Sequence, residues 1–175
     1  MNLYLMLMTL TLAGAAELKP GDALPELRGE YLTGKEAILP AAASGKVALL
    51  VLGFSYDSRL PVKEWVKHFR ADFGANPQVT FYEVPMIGGL GAMGKWFIDS
   101  GMRKGTPKSD HEHVITVYGG KASAWKDRLK PKSDQEACVL LVDAAGMVRW
   151  RQNGMFDEIA YKALVAQASA LLGRK

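Results

Sequence analysis

Four places in the chain carry side chains able to do chemistry. Cys138 is the only cysteine, so an intramolecular disulfide and any Cys-x-x-Cys pair are excluded. A lone cysteine is commonly a small buried hydrophobe; to react it would need a depressed pKa. Ser58 could serve as a nucleophile only with a base in reach, and His68, about three turns further along the next helix, is poorly placed. Capping that helix is the better account of Ser58. Gly89-Leu90-Gly91-Ala92-Met93-Gly94 is literally a G-x-G-x-x-G with Asp110 downstream. A dinucleotide fingerprint should follow its strand at once, however, and Pro85-Met86-Ile87-Gly88 intervene. A glycine-rich entry to a helix is the expectation there. Asp110-His111-Glu112-His113 would point both imidazoles the same way on an extended strand. No third ligand stands nearby, so a solvated loop is expected and no metal.

The elements that must position these residues centre on Val47 to Phe54, Val-Ala-Leu-Leu-Val-Leu-Gly-Phe, an unbroken apolar run suited to a strand covered on both faces. The polar turn Ser55-Tyr56-Asp57-Ser58-Arg59-Leu60-Pro61 follows. Beyond it Val62, Trp65, Val66, Phe69 and Phe73 recur at helical spacing, and Pro61 suits the first turn. A buried strand feeding a helix N-terminus puts amides and the helix dipole at the loop.

Around that unit, Glu17 to Ala43 reads as an extended lead-in with a small hairpin near Leu27 to Lys35. Gln78 to Val84 is a strand ending at Pro85. Leu90, Met93 and Phe97 mark a helix from about Leu90 to Ser100, with Gly101 closing it. Val114 to Tyr118 is a strand and Ser123 to Leu129 a short helix. Cys138 to Asp143 and Met147 to Arg151, joined by Ala144-Ala145-Gly146, form the clearest hairpin. The last helix runs from about Asp157 to Leu172, with Ile159, Ala160, Ala163, Leu164 and Leu171 on one side. The order β-α-β-α-β-α-β-β-α specifies an α/β sandwich with a mixed sheet.

The length of 175 residues and 49% hydrophobic content suit one domain. The net charge of +4, from 22 basic and 18 acidic residues, is spread without a basic stripe, so nucleic acid is not an expected partner. Leu3 to Leu12 is almost wholly apolar and leads to Ala13-Gly14-Ala15-Ala16. This predicts a signal peptide over residues 1–16, cleaved after Ala15 or Ala16, ahead of a domain over 17–175. The alternative, a retained anchor, is short for a membrane span.

The order and two of its stretches resemble the thioredoxin-like superfamily, in particular its periplasmic thioredoxin and peroxiredoxin branch. Gly45-Lys46 through Trp65 is similar to the family's buried strand, turn and helix, and Cys138 to Gly154 to its strand, Asp-x-x-Gly turn and return strand. The resemblance implies that the catalytic cysteine pair falls on Ser58 and Pro61, and the family's cis-proline on Ala137. It also implies that Cys138 lies near the Ser58 turn, where the helix N-terminus or Arg59 could activate it. A narrower likeness runs through Ser-x-x-x-Pro-Val-x-x-Trp, Gly101-Met102-Arg103, and Leu-Val-Asp143 to Gly154. In about two thirds of the chain these are similar to the mitochondrial ATP-synthase assembly factor family and its bacterial relatives, which lack the catalytic pair.

These readings converge on an exported, redox-inactive thioredoxin-like protein. It would act without a cofactor as a binding or assembly factor for another polypeptide, such as a membrane-complex subunit. The expected surface comprises Tyr56, Ser58, Arg59, Pro61, Ala137 and Cys138, with the residues around Gly88 to Gly91 at the same sheet edge. The alternatives are a single-cysteine oxidoreductase or peroxidase-like enzyme using Cys138, and a dinucleotide binder through Gly89 to Gly94.

Overall fold

A computed structural model describes residues 16–89 and 92–173, of which 92 and 93 by backbone alone. The expected signal peptide over 1–16 therefore lies almost wholly outside the described residues, as do Leu90 and Gly91.

The seven strands are β1 (Leu27–Tyr31), β2 (Glu36–Leu39), β3 (Val47–Gly53), β4 (Val79–Ile87), β5 (Ile115–Tyr118), β6 (Ala137–Val142) and β7 (Val148–Gly154). They form one sheet in the order β2-β1-β5-β4-β3-β6-β7. The helices are α1 (Arg59–Phe73), α2 (Ala92–Gly105), α3 (Gly120–Leu129) and α4 (Glu158–Leu172). β3 is parallel to β4 and antiparallel to β6, so the sheet is mixed.

Every residue of β3 is buried, as its unbroken apolar run requires. Leu50 and Leu52 join Val84, Ile115, Val117 and Leu140 in one core, which Trp125 and Leu129 of α3 close. Leu49 and Val51 join Val139 and Leu141 in the other, against Trp65 and Phe69 of α1 and Leu164 of α4. The α1 stripe predicted from spacing, Val62 to Phe73, is buried throughout.

The hairpin turn between β6 and β7 is built from side-chain chemistry. Asp143 Oδ1 accepts from the amides of Ala145 and Met147 at 3.0 and 2.9 Å, and Oδ2 accepts from Arg149 Nε at 2.6 Å. Gly146 adopts φ +83°, and a Cβ there would stand 3.0 Å from the Pro40 ring. The outer edge of β7 is partly covered by the segment after residue 16. Gly21 N donates to Val148 O at 2.8 Å, Val148 N to Asp22 O at 2.9 Å, and Leu24 N to Gly146 O at 2.8 Å. The Arg151 guanidinium donates to the carbonyls of Leu18 and Leu129.

Several elements depart from the sequence reading. β4 continues through Pro85 to Ile87; Pro85 pairs with Gly53, the last residue of β3, so the bond it cannot donate is lost only where that pairing ends. α2 passes through Gly101 and closes at Gly105. On α2 Phe97 points to solvent, because the side turned to the sheet is polar: Lys95 meets Glu30 at 2.7 Å and Asp99 accepts from Tyr118 Oη at 2.6 Å. On α4 Ile159 and Ala163 are exposed, and the buried stripe is Leu164 and Ala168. Asp157 caps α4 by accepting from Ala160 N at 2.8 Å.

Candidate functional site

The register fixes which loops share an end of the sheet. Gly53 faces Pro85 on one side and Ala137 on the other, and Ala137 faces Gly154. The ends of β3, β4 and β7 and the start of β6 therefore lie together. The turn Ser55 to Pro61, the residues before β6, and Gly88 and Gly89 all sit at this end. Ser55 Oγ donates to Asp134 O at 2.7 Å, tying the turn to the segment before β6.

Ser58 does not cap α1 with its side chain. Its Oγ donates to Ser55 O at 2.7 Å and accepts from Ser55 N at 3.2 Å, while Ser55 Oγ accepts from Ser58 N at 3.2 Å. A closed two-serine turn results, competing successfully with the cap. Ser58 is 1% exposed. It packs over the end of β3, where a Cβ on Gly53 would approach Ser58 Oγ to 2.5 Å and Val62 Cγ2 to 3.1 Å. Nucleophilic use of Ser58 fails on access, and His68 is turned to α4, stacked on Phe156 with centroids 4.3 Å apart.

Cys138 is fully buried in the core under α3. Burial pushes its thiol up to about 12, against the attraction of Arg151. The activating effect anticipated from Arg59 or the helix N-terminus is not found: the shift runs the opposite way, because Cys138 points into the apolar face away from α1. Ala137 and Pro61 are buried too. Four of the six anticipated site residues thus present no side chain to a partner.

Tyr56 and Arg59 do. Tyr56 is 77% exposed. The Arg59 guanidinium lies 3.7 Å from its ring centroid and donates to Tyr56 O at 2.8 Å. The two side chains are already in contact, so holding them together on binding would cost less side-chain freedom than ordering two separate ones. Sequence reasoning missed Leu60, 58% exposed beside them, and Met155, 60% exposed just past Gly154. The signal for Leu60 was available, since it falls outside the Val62-Trp65-Phe69 stripe.

The other motifs come to rest elsewhere. His111 Nε2 is 3.0 Å from Thr106 O and His113 Nδ1 is 2.9 Å from Phe81 O. They lie in a turn before β5, not on an extended strand, and each is held by a different backbone carbonyl. No group of three metal-ligating side chains occurs among the described residues. Of the glycine-rich stretch, Gly89 adopts φ +67° in an exposed loop after β4. Asp110 is engaged by Arg70 at 2.7 Å, which holds its carboxyl below the usual range.

A seven-stranded mixed sheet with this register, strand order and helix placement decides the fold. It is thioredoxin-like. The chain is similar to the thioredoxin domain of a thiol-disulfide oxidoreductase from Bacteroides vulgatus, with 20% identity, 86% of this chain and 98% of that one covered, and a TM-score of 0.56. It is similar to BsSco, a member of the Sco family of cytochrome c oxidase assembly proteins, with 16% identity, 90% and 98% coverage, and a TM-score of 0.60. It is also similar to the exposed lipoprotein thioredoxin Etrx1 of Streptococcus pneumoniae, with 13% identity, 84% and 100% coverage, and a TM-score of 0.56. No family model matches the thioredoxin-like chain, and no curated protein does. Among its described residues no helix is long and apolar enough to cross a membrane.

Proposed function

We propose that this thioredoxin-like domain works outside the cytoplasm by binding another polypeptide, as an assembly or chaperone-like factor, and not by thiol chemistry. One observation carries the reading. The positions that the family resemblance assigns to the catalytic pair, Ser58 and Pro61, are both buried, and the only thiol, Cys138, is buried with its pKa raised to about 12. Beside Ser55 and Asp57, which are also exposed, the turn offers solvent Tyr56, Arg59 and Leu60, an aromatic, a cation and an aliphatic side chain of the kinds that anchor protein interfaces.

Export is supported by the apolar run and small-residue end of residues 1–16. It is also supported by the likeness of fold to Etrx1, an exposed lipoprotein. The assembly role rests on the likeness of fold to BsSco and on a loose motif resemblance of the sequence to the ATP-synthase assembly factors, which none of the comparisons finds; each is an analogy. A membrane-complex subunit is the class of partner these analogies favour.

The test is capture from the native envelope fraction. Tyr56→Ala with Arg59→Ala is expected to weaken recovery of the co-purifying polypeptide while leaving stability within about 0.5 kcal/mol of the parent. Unchanged capture by the folded double variant disposes of this surface. Insulin reduction well above background that Cys138→Ser removes would replace the binding reading with the single-cysteine enzyme.

A further inference from the structure

Helix α2 is built inside out. Its sheet-facing side carries Lys95, Asp99 and Arg103, and its outer side carries Trp96 and Phe97, exposed at 65% and 74%. The inward side is fixed by specific bonds. Lys95 Nζ donates to Glu30 at 2.7 Å and Asp99 at 2.9 Å, Tyr118 Oη donates to Asp99 at 2.6 Å, and Arg103 donates to Leu32 O at 3.3 Å. Rotating the helix to bury the two rings would strip a carboxylate that is 6% exposed of its partners. The aromatic face is therefore held outward by the same contacts that dock the helix.

We propose that this outer face docks on a bilayer rich in anionic phospholipid, with Trp96 and Phe97 entering the headgroup boundary. Ring type and charge select this occupant. At those exposures the two rings offer roughly 300 Å² between them. Shallow insertion of an aromatic pair needs no more, because the interface is where Trp is favoured. On α2 and the turn that follows it, the charged residues that are exposed are both cations. Lys104 falls on the outer stripe, two turns beyond Trp96 and Phe97, and Lys108 follows in the next short turn, both exposed. The nearby acids are occupied: Asp99 faces inward to Lys95, and Asp110 is bound to Arg70. Cations beside an aromatic wedge complement phosphate headgroups.

The test uses the full chain and the emission of Trp96. Trp65 and Trp125 are buried and Trp150 is half-buried, which leaves Trp96 as the tryptophan whose surroundings a surface event would change. Residues 1–15 contain no tryptophan, so the emission comes from the folded domain alone. Vesicles of phosphatidylglycerol with phosphatidylcholine are expected to shift the emission to the blue, brominated acyl chains to quench it, and added salt to reverse both. Trp96→Phe should abolish the shift. Lys104→Glu with Lys108→Glu should weaken vesicle partitioning about tenfold or more. No shift with the anionic vesicles overturns the proposal. So does an equal shift with phosphatidylcholine alone, or a shift that follows protein concentration without lipid, which would make a second copy the occupant.

Discussion

Ser58 occupies the space that any side chain on Gly53 would need: a Cβ there would stand 2.5 Å from Ser58 Oγ. The end of the central strand and the turn above it are therefore specified as a pair. Gly53→Ala is expected to cost about 1–3 kcal/mol by overpacking. Ser58→Ala should cost about 1 kcal/mol by removing the partner of Ser55 N. Because the first clash is with the atom the second change deletes, the double variant should cost less than the sum, and urea unfolding of all three would show it. Strict additivity would mean the strand end yields without pressing on Ser58.

Cys138 gives stability a pH dependence of known sign. The unfolded thiol titrates near about 8.5, whereas burial holds the folded one up at about 12. Between these values the unfolded chain releases a proton that the folded chain keeps. Stability is thus unaffected below about pH 8.5 and falls above it, by up to about 1.4 kcal/mol per pH unit. Tyr31, also raised to about 12 by burial, joins only above about pH 10. The slope between those two onsets should vanish in Cys138→Ala. Iodoacetamide should label Cys138 in denaturant and leave it untouched in buffer.

Glu83 supplies a second titration. Burial raises its carboxyl and Asp110 adds to the rise, against the pull of Lys63 and Arg70. For an acid whose folded pKa is raised, the cost appears as pH climbs past the unfolded value of about 4.3 and is complete above the folded one. Glu83→Gln should accordingly stabilise the protein at neutral pH relative to the parent and lose that advantage under acid. Denaturant melts of both proteins at the two pH values would decide it, and a parallel displacement at both would remove Glu83 as the cause.

What could be read from the residues alone was what neighbours in sequence determine. The β3 run, the α1 stripe and the Asp143 to Gly146 hairpin were all legible, since each draws on a local period or a turn whose chemistry spans a few positions. The departures have different causes. The spacing of Phe97 marks a helix and not the direction it faces, which Glu30 and Tyr118, far off in the chain, decide. Ser58 was read as a cap because caps are common there, whereas its hydroxyl bonds Ser55, three residues back, an equally local alternative. Of the candidate site, Tyr56 and Arg59 were legible as turn residues. That Ser58, Pro61, Ala137 and Cys138 would all be buried beside them depends on the sheet's register, which no local pattern encodes.

The segment that lies along β7 has a kinetic consequence. Residues 18–24 are among the first of the domain to be synthesised, and their partners Gly146, Val148 and Arg151 are among the last. Until residues 146–151 have been made, then, most of the early segment lacks its partners, and the hairpin it covers does not yet exist. Contacts of such sequence separation form slowly and leave strand edges open meanwhile. The domain is closed by its own beginning, and only once nearly all of it is available.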